Sequence, residues 1–149
     1  MLALALLKEK PKLAEEALCL AVNYIRLHLD YCYGEDGGCT EGIQYFNYGF
    51  TNYLRFVVCL EKVTGNDYGL LSHPVIKKTV NNFKVSISND GKCHGFNDTI
   101  PMPIGSEIAW FLGNRYQDKF ALWWGDKAFD IYKDLKKRGK ETPYSPSSL

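Results

Sequence analysis

Acidic and phenolic side chains, which are residue types that transfer protons, cluster in one short segment of the chain. The segment extends from Asp36 to Tyr48 and reads DGGCTEGIQYFNY. Glu41 precedes Tyr45 by four residues and Tyr45 precedes Tyr48 by three, so a helix would place these side chains on one face. A phenol has an ordinary pKa of about 10, so it acts as a base only where positive charge or hydrogen-bond donors lower that pKa.

The spacing of the apolar residues predicts that helices flank this segment. A first helix begins at Pro11, and three glycines between Tyr31 and Thr40 predict a loop after it. Thr40 suits the N-cap of a second helix that extends to about Val63. The in-phase positions of the first helix are Ala14, Ala17, Leu18, Ala21, Tyr24, Ile25 and His28.

The second helix is expected to be central, because its polar stripe is narrow (Asn47, Thr51, Arg55 and Lys62) and most of its circumference is apolar. Gly65 is a signal for its C-terminal end. Further helices are predicted over residues 72–89, 104–112 and 117–137, with Gly113 ending the second of these and a break in the last at Gly125.

These patterns predict an all-α chain of consecutive antiparallel helices, with no alternation typical of strands. Residues 1–138 form the helical part, and residues 139–149 read as a Pro/Ser-rich tail or linker. In an antiparallel arrangement successive connections lie at alternate ends. The long connections 29–40 and 89–103 are therefore expected at the same end, where long loops build sites.

Composition argues against several function classes. The net charge of +1 supplies no basic field for nucleic acid. The apolar start, residues 1–7, lacks a basic leader and a small-residue cleavage site and is too short to span a bilayer, so it reads as the last turns of a helix that begins earlier. Five cysteines without a CxxC pattern and three scattered histidines predict no metal site, and no cofactor-binding motif is present.

The pattern DGGxxEGxxYxxY over residues 36–48 resembles a segment of heparinase II/III-like polysaccharide lyases, and Gly95–Asp98 is similar to a second loop of that family. The resemblance implies an α/α toroid, here without further N-terminal helices and a C-terminal β-sandwich, in a periplasmic or extracellular enzyme. It implies β-elimination at uronic acids of an acidic polysaccharide. Tyr45 matches the tyrosine that transfers the proton. Side chains expected to contact substrate are Tyr48, Glu41, Asp36, Asn97 and Asp98.

The chain departs from the family in lacking an Asn–His pair before the motif, where His28 is the only histidine. The isolated chain is therefore expected to be inactive, with activity residing in a larger protein. Two other functions stay open: a glycoside-hydrolase-like barrel that uses Asp36, Glu41 and Asp98 as carboxylates, and a non-catalytic module that binds carbohydrate or protein. A purely structural reading places Tyr45 and Tyr48 in the core, with their hydroxyls at its rim.

Overall fold

The computed structural model describes residues 1–94 and 105–139. Within them the only β-type pairing is in two isolated antiparallel bridges, Tyr33 with Cys39 and Ile87 with Cys93, so the predicted all-α class is confirmed. None of the described helices has both the length and the apolar character needed to cross a membrane. The helices are α1 (Leu2–Ala5), α2 (Pro11–Tyr31), α3 (Ile43–Thr64), α4 (Pro74–Lys78), α5 (Val80–Ser86), α6 (Ser106–Tyr116) and α7 (Lys119–Lys137).

The core is built around α3, which contributes more buried residues than any other described helix, as its apolar circumference predicts. Phe46 and Phe50 stack with ring centroids 5.0 Å apart, and the rings of Tyr33 and Phe83 meet Phe46 edge-on. The predicted polar stripe is wrong at Asn47, which is buried. Asn47 shares its side of the helix with Phe46 and Phe50, so packing around these rings encloses it.

The start of α3 differs from the prediction. The helix begins at Ile43 and its N-cap residue is Gly42, whose φ of 89° lies in the left-handed region that favours glycine. Thr40, the predicted cap, instead donates its hydroxyl to the carbonyl oxygen of Cys32 at 3.4 Å, because the loop folds back on the end of α2. The predicted end is confirmed, since Gly65 caps the helix with a left-handed φ of 74°.

The predicted helix over residues 72–89 is two shorter helices. His73 begins α4 by accepting the amide hydrogen of Val75, and Thr79 separates α4 from α5. The Thr79 hydroxyl donates to the carbonyl oxygen of Ile76 at 2.7 Å, which gives the backbone an alternative to a continuous helix. Residues 87–94 then turn back through the Ile87–Cys93 bridge.

The last two helices, α6 and α7, form a tight antiparallel hairpin. The predictions of a helix end at Gly113 and a break at Gly125 are wrong, because both glycines lie inside helices. A Cβ atom on Gly113 would lie 2.7 Å from the Leu122 side chain, and one on Gly125 would lie 2.4 Å from the Trp110 ring. Glycine is present at these positions to allow close packing of the hairpin rather than to end a helix.

Helix α2 presents one face to the core through Ala14, Val22 and Leu29. The predicted in-phase set is wrong at Tyr24, which is 68% exposed, and at His28, which is also exposed. The prediction fails because α2 carries two apolar stripes. The residue spacing alone assigned members of both stripes to a single face. The second stripe faces solvent.

Candidate functional site

The segment that carries the chemistry has an ordered backbone. Residues 32–42, termed the motif loop, are closed by two backbone hydrogen bonds, from Gly34 N to Gly38 O at 2.8 Å and from Thr40 N to Cys32 O at 3.2 Å. Inside the loop, Asp36 Oδ1 accepts the amide hydrogen of Gly38 at 2.8 Å. One oxygen of the predicted substrate-contacting carboxylate therefore shapes the loop.

The motif loop is attached to α4 and α5 by amide side chains. Asn82, which is buried, accepts the Cys39 amide hydrogen at 2.8 Å and donates to the Gly37 carbonyl oxygen at 2.6 Å. Asn81 donates to the Asp36 carbonyl oxygen at 2.7 Å, and the Lys78 ammonium donates to that of Glu35 at 2.8 Å. The loop is consequently held in one position relative to the helices behind it.

Gly37 is required where the loop touches the junction of α4 and α5. Its φ is +87°, and a Cβ atom there would lie 2.3 Å from the carbonyl carbon of Lys78. Both the backbone conformation and the available space exclude a larger residue. Packing against the junction of α4 and α5 therefore explains the first of the two adjacent glycines in the motif.

The two tyrosines of the motif face solvent. Tyr45 is 46% exposed and Tyr48 is 64% exposed, whereas Phe46 between them is buried. The structural reading that places Tyr45 and Tyr48 in the core is therefore wrong. Glu41 is also exposed and precedes the N-cap Gly42, so it lies outside the first turn of α3.

Two other ionisable groups of the motif region are unsuited to proton transfer or nucleophilic attack. Desolvation by burial raises the pKa of the Tyr33 phenol far above its usual value. Burial likewise raises the pKa of the Cys39 thiol. Both groups stay neutral near pH 7, and a thiol in such surroundings is a poor nucleophile.

A histidine that was not among the predicted site residues, His73, lies beside the motif loop. His73 Nε2 lies 3.0 Å from Asp30 Oδ1, at the end of α2. Because His73 Nδ1 accepts the Val75 amide hydrogen, Nε2 carries the ring proton and donates it to Asp30. A cleft of about 240 Å³ adjoins this pair and is lined also by Tyr33, Gly34, Glu35 and Lys78. The sequence signal for the pair was weak, since 43 residues separate its members.

Asn47 is a further residue of the motif that sequence reasoning left out of the site. Its Oδ1 atom is the one buried side-chain oxygen without a hydrogen-bond partner in the part of the chain that the structure describes. An unsatisfied buried acceptor costs about 1–3 kcal/mol, so this oxygen does not add to the stability of the fold. The position of Asn47, two residues after Tyr45, was the available signal.

Gly105, the N-cap residue of α6, lies near the first turns of α3. A Cβ atom on Gly105 would lie 3.2 Å from Asn47 Oδ1 and 2.5 Å from the Phe83 ring. Asn97 and Asp98, the predicted substrate contacts on the connection before α6, lie outside the described residues. Over residues 1–94 and 105–139, no group of three or more histidine, cysteine or acidic side chains is arranged to hold a metal ion.

A larger cavity, of about 480 Å³, lies away from the motif between α2 and the end of α3. Its apolar lining includes Leu18, Val22 and Leu60, and Glu15 and Arg26 are polar members of its wall. No residue of the motif loop, nor Tyr45 or Tyr48, lines this cavity. The chemistry-bearing segment and this cavity are therefore separate features of the molecule.

Comparison of the chain with models of protein families, with curated proteins and with solved structures found no match. Function is accordingly inferred from the motif and its surroundings.

Proposed function

We propose that this chain is the helical part of a polysaccharide lyase that cleaves uronic-acid-containing polymers by β-elimination, with Tyr45 as the residue that transfers the proton. The observation that carries the proposal is the exposure of Tyr45 and Tyr48 on α3, directly after a motif loop held in place by Asn82. A phenol that is held at the surface by a rigid scaffold is accessible to a polymer.

The proposed reaction removes a proton from the carbon next to the uronate carboxylate. The phenolate oxygen of Tyr45 takes this proton, and the electron pair left on carbon forms a double bond as the bond to the leaving sugar oxygen breaks. The Tyr45 hydroxyl then returns the proton to that oxygen. Charge that develops on the carboxylate during proton removal must be stabilised by nearby donors or cations.

The cleft beside the motif loop contains a cation, the exposed residue Lys78, which is the group available there to a substrate carboxylate. Asp30 and Glu35 line the same cleft and oppose an acidic substrate, and His73 donates its ring proton to Asp30. We assign substrate contacts to Tyr48, Glu41 and Asp36 on the exposed side of the motif, and the proposal extends to Asn97 and Asp98. The proposal includes an α/α toroid fold and a periplasmic or extracellular location. It also requires the remaining parts of a larger lyase for activity.

The test is formation of unsaturated uronate, followed by its ultraviolet absorbance, when the full-length protein meets a panel of acidic polysaccharides. Tyr45→Phe keeps the ring and removes the hydroxyl, so the expected result is loss of at least about 100-fold in kcat, the usual size of an acid–base contribution. Tyr24→Phe, an exposed tyrosine on α2, is the matched control and should keep the wild-type rate. An unchanged rate in Tyr45→Phe would exclude the proposed role.

A non-catalytic module that binds another protein is the second candidate, and the exposed apolar side chains of α2 favour it. Its expected signature is the absence of both unsaturated product and new reducing ends. Release of reducing ends without a double bond would instead favour hydrolysis by the carboxylates Asp36, Glu41 and Asp98.

A further inference from the structure

The outward face of α2 carries a regular apolar stripe. Its members follow one another at alternating intervals of four and three residues, the spacing of the a and d positions in a coiled coil. We term this stripe the α2 seam, and it consists of Leu13, Ala17, Leu20, Tyr24, Leu27 and Tyr31.

Every member of the α2 seam except the half-buried Ala17 is exposed. Leu13, Leu20 and Leu27 are each about half exposed, Tyr24 is 68% exposed and Tyr31 is 80% exposed. On the side of α2 that faces the core, Ala14, Val22 and Leu29 are buried. Helix α2 is thus apolar over far more of its circumference than the fold covers, as in helices packed on two sides.

The size of the seam suits a protein interface. Aromatic side chains bury about 150–250 Å² each when covered, and with the leucines the seam offers on the order of 600 Å² per copy. Pairing two copies would remove about 1,200 Å² from water, the lower limit for stable interfaces. The helix is already folded by its core face, so pairing requires no ordering of the backbone.

The seam is compatible with a second copy of itself. All three d positions are leucine, as in parallel two-stranded coiled coils, whereas the a positions carry Ala17, Tyr24 and Tyr31 instead of β-branched residues. No charged residue interrupts the stripe. In a parallel pair, flank residue Glu16 meets Ala21 of the other copy and Asn23 meets His28. An antiparallel pair would instead set Glu16 against Asp30, which places like charges together.

The geometry points to a parallel homodimer in which two copies of the α2 seam pack around a two-fold axis parallel to the helix. The core face and the seam lie on different sides of α2, so this axis puts the rest of each molecule on opposite sides of the pair. An interface at the lower limit of area is typical of weak association, so we expect a dimer that forms at micromolar rather than nanomolar concentrations.

The first measurement is sedimentation equilibrium of the whole chain from about 1 to 200 μM, a range that brackets the expected dissociation constant. The mass should rise from 17.0 kDa toward twice that value as the concentration increases. A mass that stays at 17.0 kDa throughout would overturn the proposal and leave the seam to a different partner.

Three variants test whether the seam forms the interface. The double variant L20E/L27E places charges in the seam and should raise the dissociation constant at least about 100-fold, while Leu20→Ala should raise it about tenfold. Val85→Glu, which changes an exposed valine on α5, is the matched control and should dimerise like the wild type. Because all three positions are exposed, circular dichroism should show unchanged helix content. Dimerisation of L20E/L27E at the wild-type concentration would overturn the assignment.

Disulfide trapping tests the orientation. In a Cys19→Ser background, which removes the exposed thiol of α2, Leu13→Cys should form a cross-linked dimer on mild oxidation, because residue 13 meets its own copy in a parallel pair. An antiparallel pair separates the two copies of this residue by about 27 Å and brings Leu13 to Tyr31. Cross-linking only between Leu13→Cys and Tyr31→Cys would overturn the parallel arrangement.

Discussion

At the scale of single residues, Asn82 connects the motif loop to the helices behind it. Its side-chain oxygen accepts from Cys39, and its side-chain nitrogen donates to the carbonyl oxygens of Gly37 and Thr79. Both polar atoms of a buried amide are thus satisfied, and three backbone groups depend on them. Loss of this residue would leave those backbone groups without partners in a place that water does not reach.

We therefore expect Asn82→Ala to lower the free energy of unfolding by about 2–4 kcal/mol, because it leaves buried donors and acceptors unsatisfied. Asn81→Ala is the matched control. Asn81 is half-buried and makes one hydrogen bond to the loop, so its loss should cost about 1 kcal/mol or less. Urea denaturation measures both values, and equal losses in the two variants would contradict the role assigned to Asn82.

Some residues of the candidate site could be predicted from the sequence, and others could not. The pattern at residues 36–48 identified Tyr45 and Tyr48 as candidates, and their exposure makes both available to a ligand. The pairing of Asp30 with His73 was not predicted, because it joins the ends of two elements distant in the chain. Long-range pairs of this kind leave no periodic signal in a sequence.

At the scale of elements, α6 and α7 depend on glycine for their approach. Gly125 allows the Trp110 ring to lie against the backbone of α7, where the Trp110 Nε1 hydrogen is donated to Asp126 at 2.9 Å. Sequence reasoning took Gly113 and Gly125 for helix breakers, since glycine weakens a helix by about 1 kcal/mol relative to alanine. Packing between two helices outweighs that preference.

The two kinds of helical glycine give opposite expectations for substitution by alanine. Gly125→Ala should destabilise the protein by about 1–3 kcal/mol, because its Cβ atom would overlap the Trp110 ring. Gly49→Ala, in α3, should stabilise it by about 0.5–1 kcal/mol, because nothing lies within 4 Å of the added Cβ and alanine favours the helix. Thermal unfolding distinguishes these signs, and stabilisation by both substitutions would contradict the packing role of Gly125.

At the scale of the whole molecule, one connected group of buried side chains joins the described helices. It includes Leu4 of α1, Leu29 of α2, Phe50 of α3, Phe83 of α5 and Trp124 of α7. A single core of this kind predicts that α2–α5 and the α6–α7 hairpin unfold together rather than as separate units.

Urea unfolding tests this expectation through two probes. Every tryptophan of the chain (Trp110, Trp123 and Trp124) lies in α6 or α7, so fluorescence reports on the hairpin, while far-ultraviolet circular dichroism reports on all helices. The two transitions should have the same midpoint and the same slope. A fluorescence midpoint that differs from the dichroism midpoint would show that the hairpin unfolds independently.

The sequence by itself determined the all-α class, the end of α3 at Gly65 and a helix start near residue 72, because apolar periodicity and capping residues act locally along the chain. Only the tertiary structure decided where α3 begins, which glycines end helices and which stripe of α2 faces the core. Each of these depends on what lies across from a residue: the end of α2 opposite Thr40, Trp110 opposite Gly125, and solvent opposite Tyr24. Local preferences amount to about 1 kcal/mol or less per residue, and tertiary packing readily outweighs them.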